Sequence, residues 1–235
     1  MNTTLTLVAA AMSHSSGEQQ RIAHNLANAQ NPGFKAILSN IESLPAKEDI
    51  PSSMAIPYTR FFVPFQQGTL EKSNNPMDFA LQGEGFFIVE KEETKKYLRS
   101  FHASIDSQGY LVNSDGLRLC TEDGYLRIDP EKASLLEISQ KGDIFLGIER
   151  IGRLKIVALE NPESVEGTEG YFLGQPHGQE KEASSCQVYQ GYLEKSTVES
   201  LDNMSEMIAN LRYMEANQKI LKTIDQSYQG LLDQS

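Results

Sequence analysis

The chain has 235 residues, with 21 Lys and Arg against 32 Asp and Glu, a formal net charge of −11 and a pI near 4.9. Without a basic run, that balance excludes a phosphate-tracking surface for nucleic acid, and 39% hydrophobic with 8% aromatic residues excludes wholesale disorder. The longest apolar run, Leu7 to Met12, is far below the roughly 18 residues of a membrane span, so no direct membrane insertion is expected.

Residues 1–17 contain no Lys, Arg, Asp or Glu, whereas a secretory signal opens on a basic segment, so no cleaved signal peptide is expected. Leu5, Val8, Met12, Ile22 and Leu26 recur at helical spacing, with polar Ser15 and Gln19 interrupting the stripe. That predicts a long N-terminal helix ending near Gln30, where Pro32 and Gly33 break it. Four prolines, Pro45, Pro51, Pro57 and Pro64, then predict an extended connector.

The middle of the chain carries the punctuation of antiparallel strands. Tyr110-Leu111-Val112 and Leu117-Arg118-Leu119 flank Asn113-Ser114-Asp115-Gly116, and Glu122-Asp123-Gly124 precedes Tyr125-Leu126-Arg127-Ile128, both Asp-Gly hairpin signals. Further strands are expected at Ile144–Ile148, Leu154–Leu159 and Val188–Leu193. Glu160–Glu182, with six Glu against one Lys and interleaved glycines, reads as a solvated loop region with one short strand at Tyr171-Phe172-Leu173.

Near the C-terminus, Ser196-Thr197-Val198-Glu199 fits a capping box and predicts a helix beginning there. Val198, Leu201, Met204, Ile208 and Leu211 form one apolar stripe on it. Met207, Met214, Leu221 and Tyr228, joined by Ile224 and Leu231, form a second. The expected fold class is α+β: long N- and C-terminal helices forming a coiled-coil-like pair, with a β-rich small barrel or sandwich between them. The expected division is 1–35 for the first helix, 36–79 for the connector, 80–192 for the β domain and 193–235 for the second helix.

Chemistry finds no foothold. Gly83-Glu84-Gly85 lacks the third glycine and the following helix of a dinucleotide loop. None of the four histidines, His14, His24, His102 and His177, has metal-ligand spacing. Cys120 and Cys186 read as free thiols, with a single bridge as the alternative. No catalytic, cofactor or metal residues are expected.

Three blocks carry a family likeness. Ala23-His24-Asn25-Leu26-Ala27-Asn28-Ala29-Gln30-Asn31-Pro32-Gly33-Phe34-Lys35 resembles the "NNLANxxTPGFK" signature of axial proteins of the bacterial flagellum. The run from Gln67-Gly68-Thr69-Leu70-Glu71 through Asp78 to Gly83-Glu84-Gly85-Phe86-Phe87 resembles the second signature, "QGxLExTxNPLDLAIxGxGFF". Gly191-Tyr192-Leu193-Glu194-Lys195-Ser196-Thr197-Val198 and Met207–Lys219 resemble the third, "GxLExSNV…MIxxxRxYExNxK". Tyr97–Ala103 departs from the family's usual "YxRxGxF" hairpin, with Phe101 in the glycine position.

The compact middle region and Ile151–Val157 look most like a proximal-rod protein of the basal body. The resemblance implies a non-enzymatic subunit of the periplasmic rod, a hollow drive shaft for motility, exported through the flagellar type III apparatus. Its partners would be itself and other rod proteins. It further implies structural roles for Asn25, Leu26, Asn28, Pro32, Gly33, Phe34, Asp78, Gly83, Gly85, Phe86 and Phe87.

Helices of this kind are marginal alone in water. An assembly interface is therefore expected between Leu5, Val8, Met12, Ile22 and Leu26 and the set Leu201, Met204, Ile208, Leu211, Leu221 and Ile224, within one subunit or between neighbours. The alternatives are a distal-rod or hook-related axial protein and, from another class, an oligomeric β-domain binding module or enzyme.

Overall fold

The computed structural model describes residues 2–43, 57–64, 66–92, 94–159, 167–168, 172–173, 180–183 and 185–232. It is α+β, with a helix at each end and a β-rich middle, and the chain divides into two units.

The helical unit comprises Met1–Ala27, Ile37–Phe62 and Glu199–Ser235. Its helices are α1 (Asn2–Ala27) and α2 (Ser200–Leu232), running antiparallel with Asn25 beside Asn203 and Ser15 beside Asn210. Val8, Ser15 and Ile22, seven residues apart, are the buried line of α1. Leu38–Ser43 and Pro57–Phe62 pair as an antiparallel ribbon, Leu38 opposite Phe62 and Ser43 opposite Pro57. The expected connector thus contains a paired ribbon, while its residues 44–56 lie outside the described set. The ribbon is tied to α1 by His14, which hydrogen-bonds Thr59, and by Gly17, where a Cβ would come within 3.1 Å of the Phe61 ring.

The capping-box expectation is corrected by four residues. Ser196 Oγ does accept from Val198 N–H at 3.2 Å, but Thr197 is held in the β unit. Its N–H donates to Phe34 C=O at 3.1 Å and its hydroxyl accepts from Ala36 N–H at 2.9 Å. Those tertiary bonds outweigh a local cap, so helical pairing begins with Asn203 N–H to Glu199 C=O.

The β unit comprises Asn28–Ala36 and Val63–Val198. Phe86–Lys91 is central to its largest sheet. One edge pairs with Thr94–Leu98; the other takes Ile156–Leu159 at its start and Arg118–Thr121 at its end. Asp78–Gln82 lies between Gln187–Gln190 and Ser100–His102, and Leu136–Ile138, Asp143–Leu146 and Glu149–Arg153 form a meander. These sheets are open, and no closed barrel forms among the described residues, which corrects that part of the expected class. Phe79, Phe87 and Phe101 anchor the core with Leu81, Leu98, Leu111 and Ile144.

Several local expectations hold. Asn113 Oδ1 accepts from Asp115 N–H and Leu117 N–H, shaping the first Asp-Gly turn, and Arg118–Thr121 pairs with Gly124–Tyr125 across the second. Phe172–Leu173 is a strand; most of the acidic stretch around it lies outside the described residues. No turn forms at Phe101: it is an extended core residue, 1% exposed and opposite Phe79, and its bulk fills the core where a glycine would leave a hole. Among the described residues no helix is long and apolar enough to cross a membrane. Both cysteines are free thiols.

Candidate functional site

Two arrangements concentrate the residues of the signature blocks. The first is a buried clasp in the β unit, centred on Glu194, which is 0% exposed. Its backbone is fixed before its charge is considered. Tyr192–Glu194 pairs with Leu70–Lys72, placing Glu194 opposite Leu70; its N–H donates to Ser100 Oγ at 2.6 Å; and its C=O accepts from Gly33 N–H at 2.6 Å. The carboxylate then accepts from Lys35 Nζ on one oxygen, with Gly68 N–H at 2.8 Å on the same oxygen. Arg99 Nε reaches the other at 3.1 Å.

Arg99 spends its remaining donors on backbone. Its terminal nitrogens reach Gly83 C=O at 2.7 Å, Gly85 C=O, and Leu81 C=O at 3.1 Å, and its guanidinium lies 5.6 Å from the centroid of the Phe86 ring. Lys35 also donates to Gln66 C=O. Burial pushes the Lys35 amine below its ordinary range, against the pull of the Glu194 carboxylate. A buried charge is tolerable only when its partners and hydrogen bonds are complete, and this cluster supplies them from all three signature blocks.

The glycines follow from that geometry. At Gly68 a Cβ would lie 2.3 Å from Lys195 C=O, so the close approach admits no side chain. Gly33 has φ +76°, a conformation open to glycine at little cost, and this turns the chain so that its N–H meets Glu194. Phe34, 1% exposed, packs with Ala36 and Val198. Asp78 accepts from Asn75 Nδ2 at 3.2 Å and pairs with the His102 ring. Asn28 accepts from Asn31 in the turn that ends α1, and Pro32 is exposed beside it. Gly83 and Gly85 are acceptors for Arg99, while Phe86 and Phe87 are buried core residues.

The second arrangement is the α1–α2 seam. Asn25, 1% exposed, donates to Ile37 C=O and accepts from Ile37 N–H, both at 2.9 Å. Arg21 donates to Glu18 at 2.9 Å and to Glu206 at 2.8 Å. Burial alone would lower the Arg21 pKa, but the bonds to the two carboxylates raise it. Of the expected interface residues, Val8 and Ile22 are buried and Met12, Leu26, Leu221 and Ile224 are half-buried; the side chain of Leu5 lies outside the described set. Leu201, Met204, Ile208 and Leu211 turn away from α1, exposed by 79, 52, 55 and 45%. Within one chain, the seam uses Asn203, Met207, Asn210, Met214 and Asn217 instead.

Sequence reasoning passed over Glu194, Arg99 and Lys35 as partners because they lie 95 and 159 positions apart. It also passed over the asparagines of α2, whose spacing of seven was a readable signal. Among the described residues no group of three or more His, Cys, Asp or Glu has the arrangement to hold a metal.

Comparison with known proteins gives two family matches. Residues 80–146 match the family described as Flagellar hook protein FlgE/F/G D1 domain. Residues 189–234 match Flagellar basal body rod FlgEFG protein C-terminal. The flagellar basal-body rod protein FlgF of Escherichia coli (strain K12) is 27% identical over 230 residues, 92% of this chain and 91% of the relative. FlgF of Salmonella typhimurium is 26% identical over 92% of each chain. The rod protein FlgG of Buchnera aphidicola subsp. Schizaphis graminum is 27% identical over 89% of this chain and 91% of its own length. The first match contains Arg99 and the second Glu194 and α2, while Lys35, Gly68 and α1 lie outside both, and over these two blocks the chain is similar to flagellar hook and basal-body rod proteins.

Proposed function

We propose that this protein is a structural subunit of the flagellar basal-body rod, in its proximal part, polymerising into the hollow shaft that carries torque to the hook. The observation that carries this reading is the exposed stripe Leu201, Met204, Ile208 and Leu211 on α2. Burying a large apolar side chain is worth roughly 1.5–3 kcal/mol, and four of them in one line along a 33-residue helix are a face awaiting a neighbour. The occupant is a helix of another copy or of a related rod subunit, and a head-to-tail contact that does not close on itself builds a helical tube.

In this reading α1 and α2 form a coiled-coil-like pair that lines the tube. The protein has no enzymatic activity of its own and reaches the periplasm through the type III export apparatus.

Two measurements test it. Leu211→Asp places a charge on the stripe; incorporation into basal bodies is expected to be abolished while the thermal unfolding of the β unit is unchanged. Quantitative mass spectrometry of purified hook–basal bodies is expected to find a few copies per particle. Many copies would move the protein to the distal rod or hook, and absence from intact particles would overturn the rod assignment.

A further inference from the structure

Helix α2 presents two lines of side chains, each spaced alternately three and four residues apart. One contains Asn203, Met207, Asn210, Met214 and Asn217 and faces α1; the other, Leu201, Met204, Ile208 and Leu211, is exposed. Corresponding positions on the two lines are neighbours in sequence, about 100° apart around the helix. On hydrophobicity alone the second line should be the buried one. The polar line wins because of what α1 offers.

Ser15 is 0% exposed, and its hydroxyl donates to Asn210 Oδ1 at 2.6 Å. Asn210 Nδ2 returns bonds to Ser15 C=O at 2.9 Å and Gln19 Oε1 at 3.0 Å. Asn203 accepts from Asn25 at 3.4 Å and donates to Glu199 C=O at 2.9 Å. Turning α2 to offer its leucine line would leave Ser15 and Gln19 buried against groups that cannot hydrogen-bond, the costly case for a polar group. The third rung differs: Asn217 is 6% exposed, and its Nδ2 has no hydrogen-bond partner among the described residues.

We propose that Asn203, Asn210 and Asn217 act as a face selector: with Ser15 and Gln19 they dictate which side of α2 meets its own α1, and so reserve the Leu201–Leu211 line for a neighbouring subunit. They are positioning residues, fixing register through polar matching as a buried asparagine does in a coiled-coil seam, and rejecting the alternative pairing through unpaired donors. The inference rests on the rod reading for the identity of the neighbour, but not for the choice of face.

The test uses the purified full-length monomer with Cys120 and Cys186 replaced by Ala. Single cysteine reporters at Met204→Cys, on the exposed line, and Met207→Cys, on the seam, are labelled with a maleimide. With the ladder intact, position 204 is expected to react several-fold faster than position 207. In Asn203→Ala/Asn210→Ala/Asn217→Ala, with far-UV helix content retained, the order is expected to reverse as α2 turns its leucines inward. An unchanged order at full helix content overturns the proposal. So does loss of the helical signal, which would make the ladder a source of stability rather than of facing. A reversal here together with normal incorporation of Leu211→Asp would sink only the assembly reading.

Discussion

Buried polar groups serve the two units in opposite ways. In the β unit each carboxylate oxygen of Glu194 is met by donors, from Lys35 and Gly68 on one side and Arg99 on the other, and the cluster fixes a single arrangement of backbone segments. In the helical unit the asparagines of α2 include one buried amide nitrogen without a partner among the described residues, and an apolar line stays in water. A completed network specifies structure; an incomplete one specifies a choice and leaves interaction capacity unused. The difference teaches where this chain is finished as a monomer and where it is not.

The strongest way to break that comparison is Glu194→Gln. It keeps the shape but strands two buried cations, and removing one partner of a buried ionic cluster costs about 3–5 kcal/mol. Chemical denaturation followed by tyrosine fluorescence should show that loss in the β unit, with the far-UV helical signal little changed. A loss below 1 kcal/mol would mean the cluster is not what holds the segments together. Gly68→Ala should cost about 1–3 kcal/mol by overpacking, because the added Cβ meets Lys195 C=O at 2.3 Å; the readout is again the denaturation midpoint.

Cys120 sharpens the comparison through pH. Burial, helped by the nearby Glu90 carboxylate, pushes its thiol from 9.0 up to about 11. The unfolded chain therefore releases this proton first, so the stabilisation is complete below pH 9 and is lost as pH rises toward 11. Cys120→Ala should flatten the alkaline decline of β-unit stability in that window by on the order of 2 kcal/mol, measured by melting at pH 8, 9.5 and 11. The smallest effect is on the helical side. Asn217→Leu removes a buried donor that has no partner among the described residues and should raise the melting point of the helical signal, worth about 1 kcal/mol; a lower melting point would show that the amide is satisfied after all.

Much of the fold was legible because its signals are local. Gly116 and Gly124, each beside an aspartate, sit at positive φ in the hairpin turns, and Phe86 to Val89 reads as a strand because a continuous apolar run suits one buried on both faces. The end of α1 was legible in Pro32 and Gly33. Other features depend on partners far along the chain. Nothing near Ser196 announces that Thr197 will bond Phe34 and Ala36, so the helix start was read early. Nothing near Glu194 names Lys35. Nothing near Leu201–Leu211 tells that this stripe stays exposed within one chain, because the contacts made instead, Ser15 and Gln19 with Asn210, are polar and about 190 residues apart.

The bonds that join residues 33–36 to residues 194–197 have a mechanical consequence. Gly33 to Glu194, Thr197 to Phe34, and Ala36 to Thr197 bring the two chain segments that continue into α1 and α2 to one spot on the β unit. A pull on either end of the protein therefore arrives at the same three bonds.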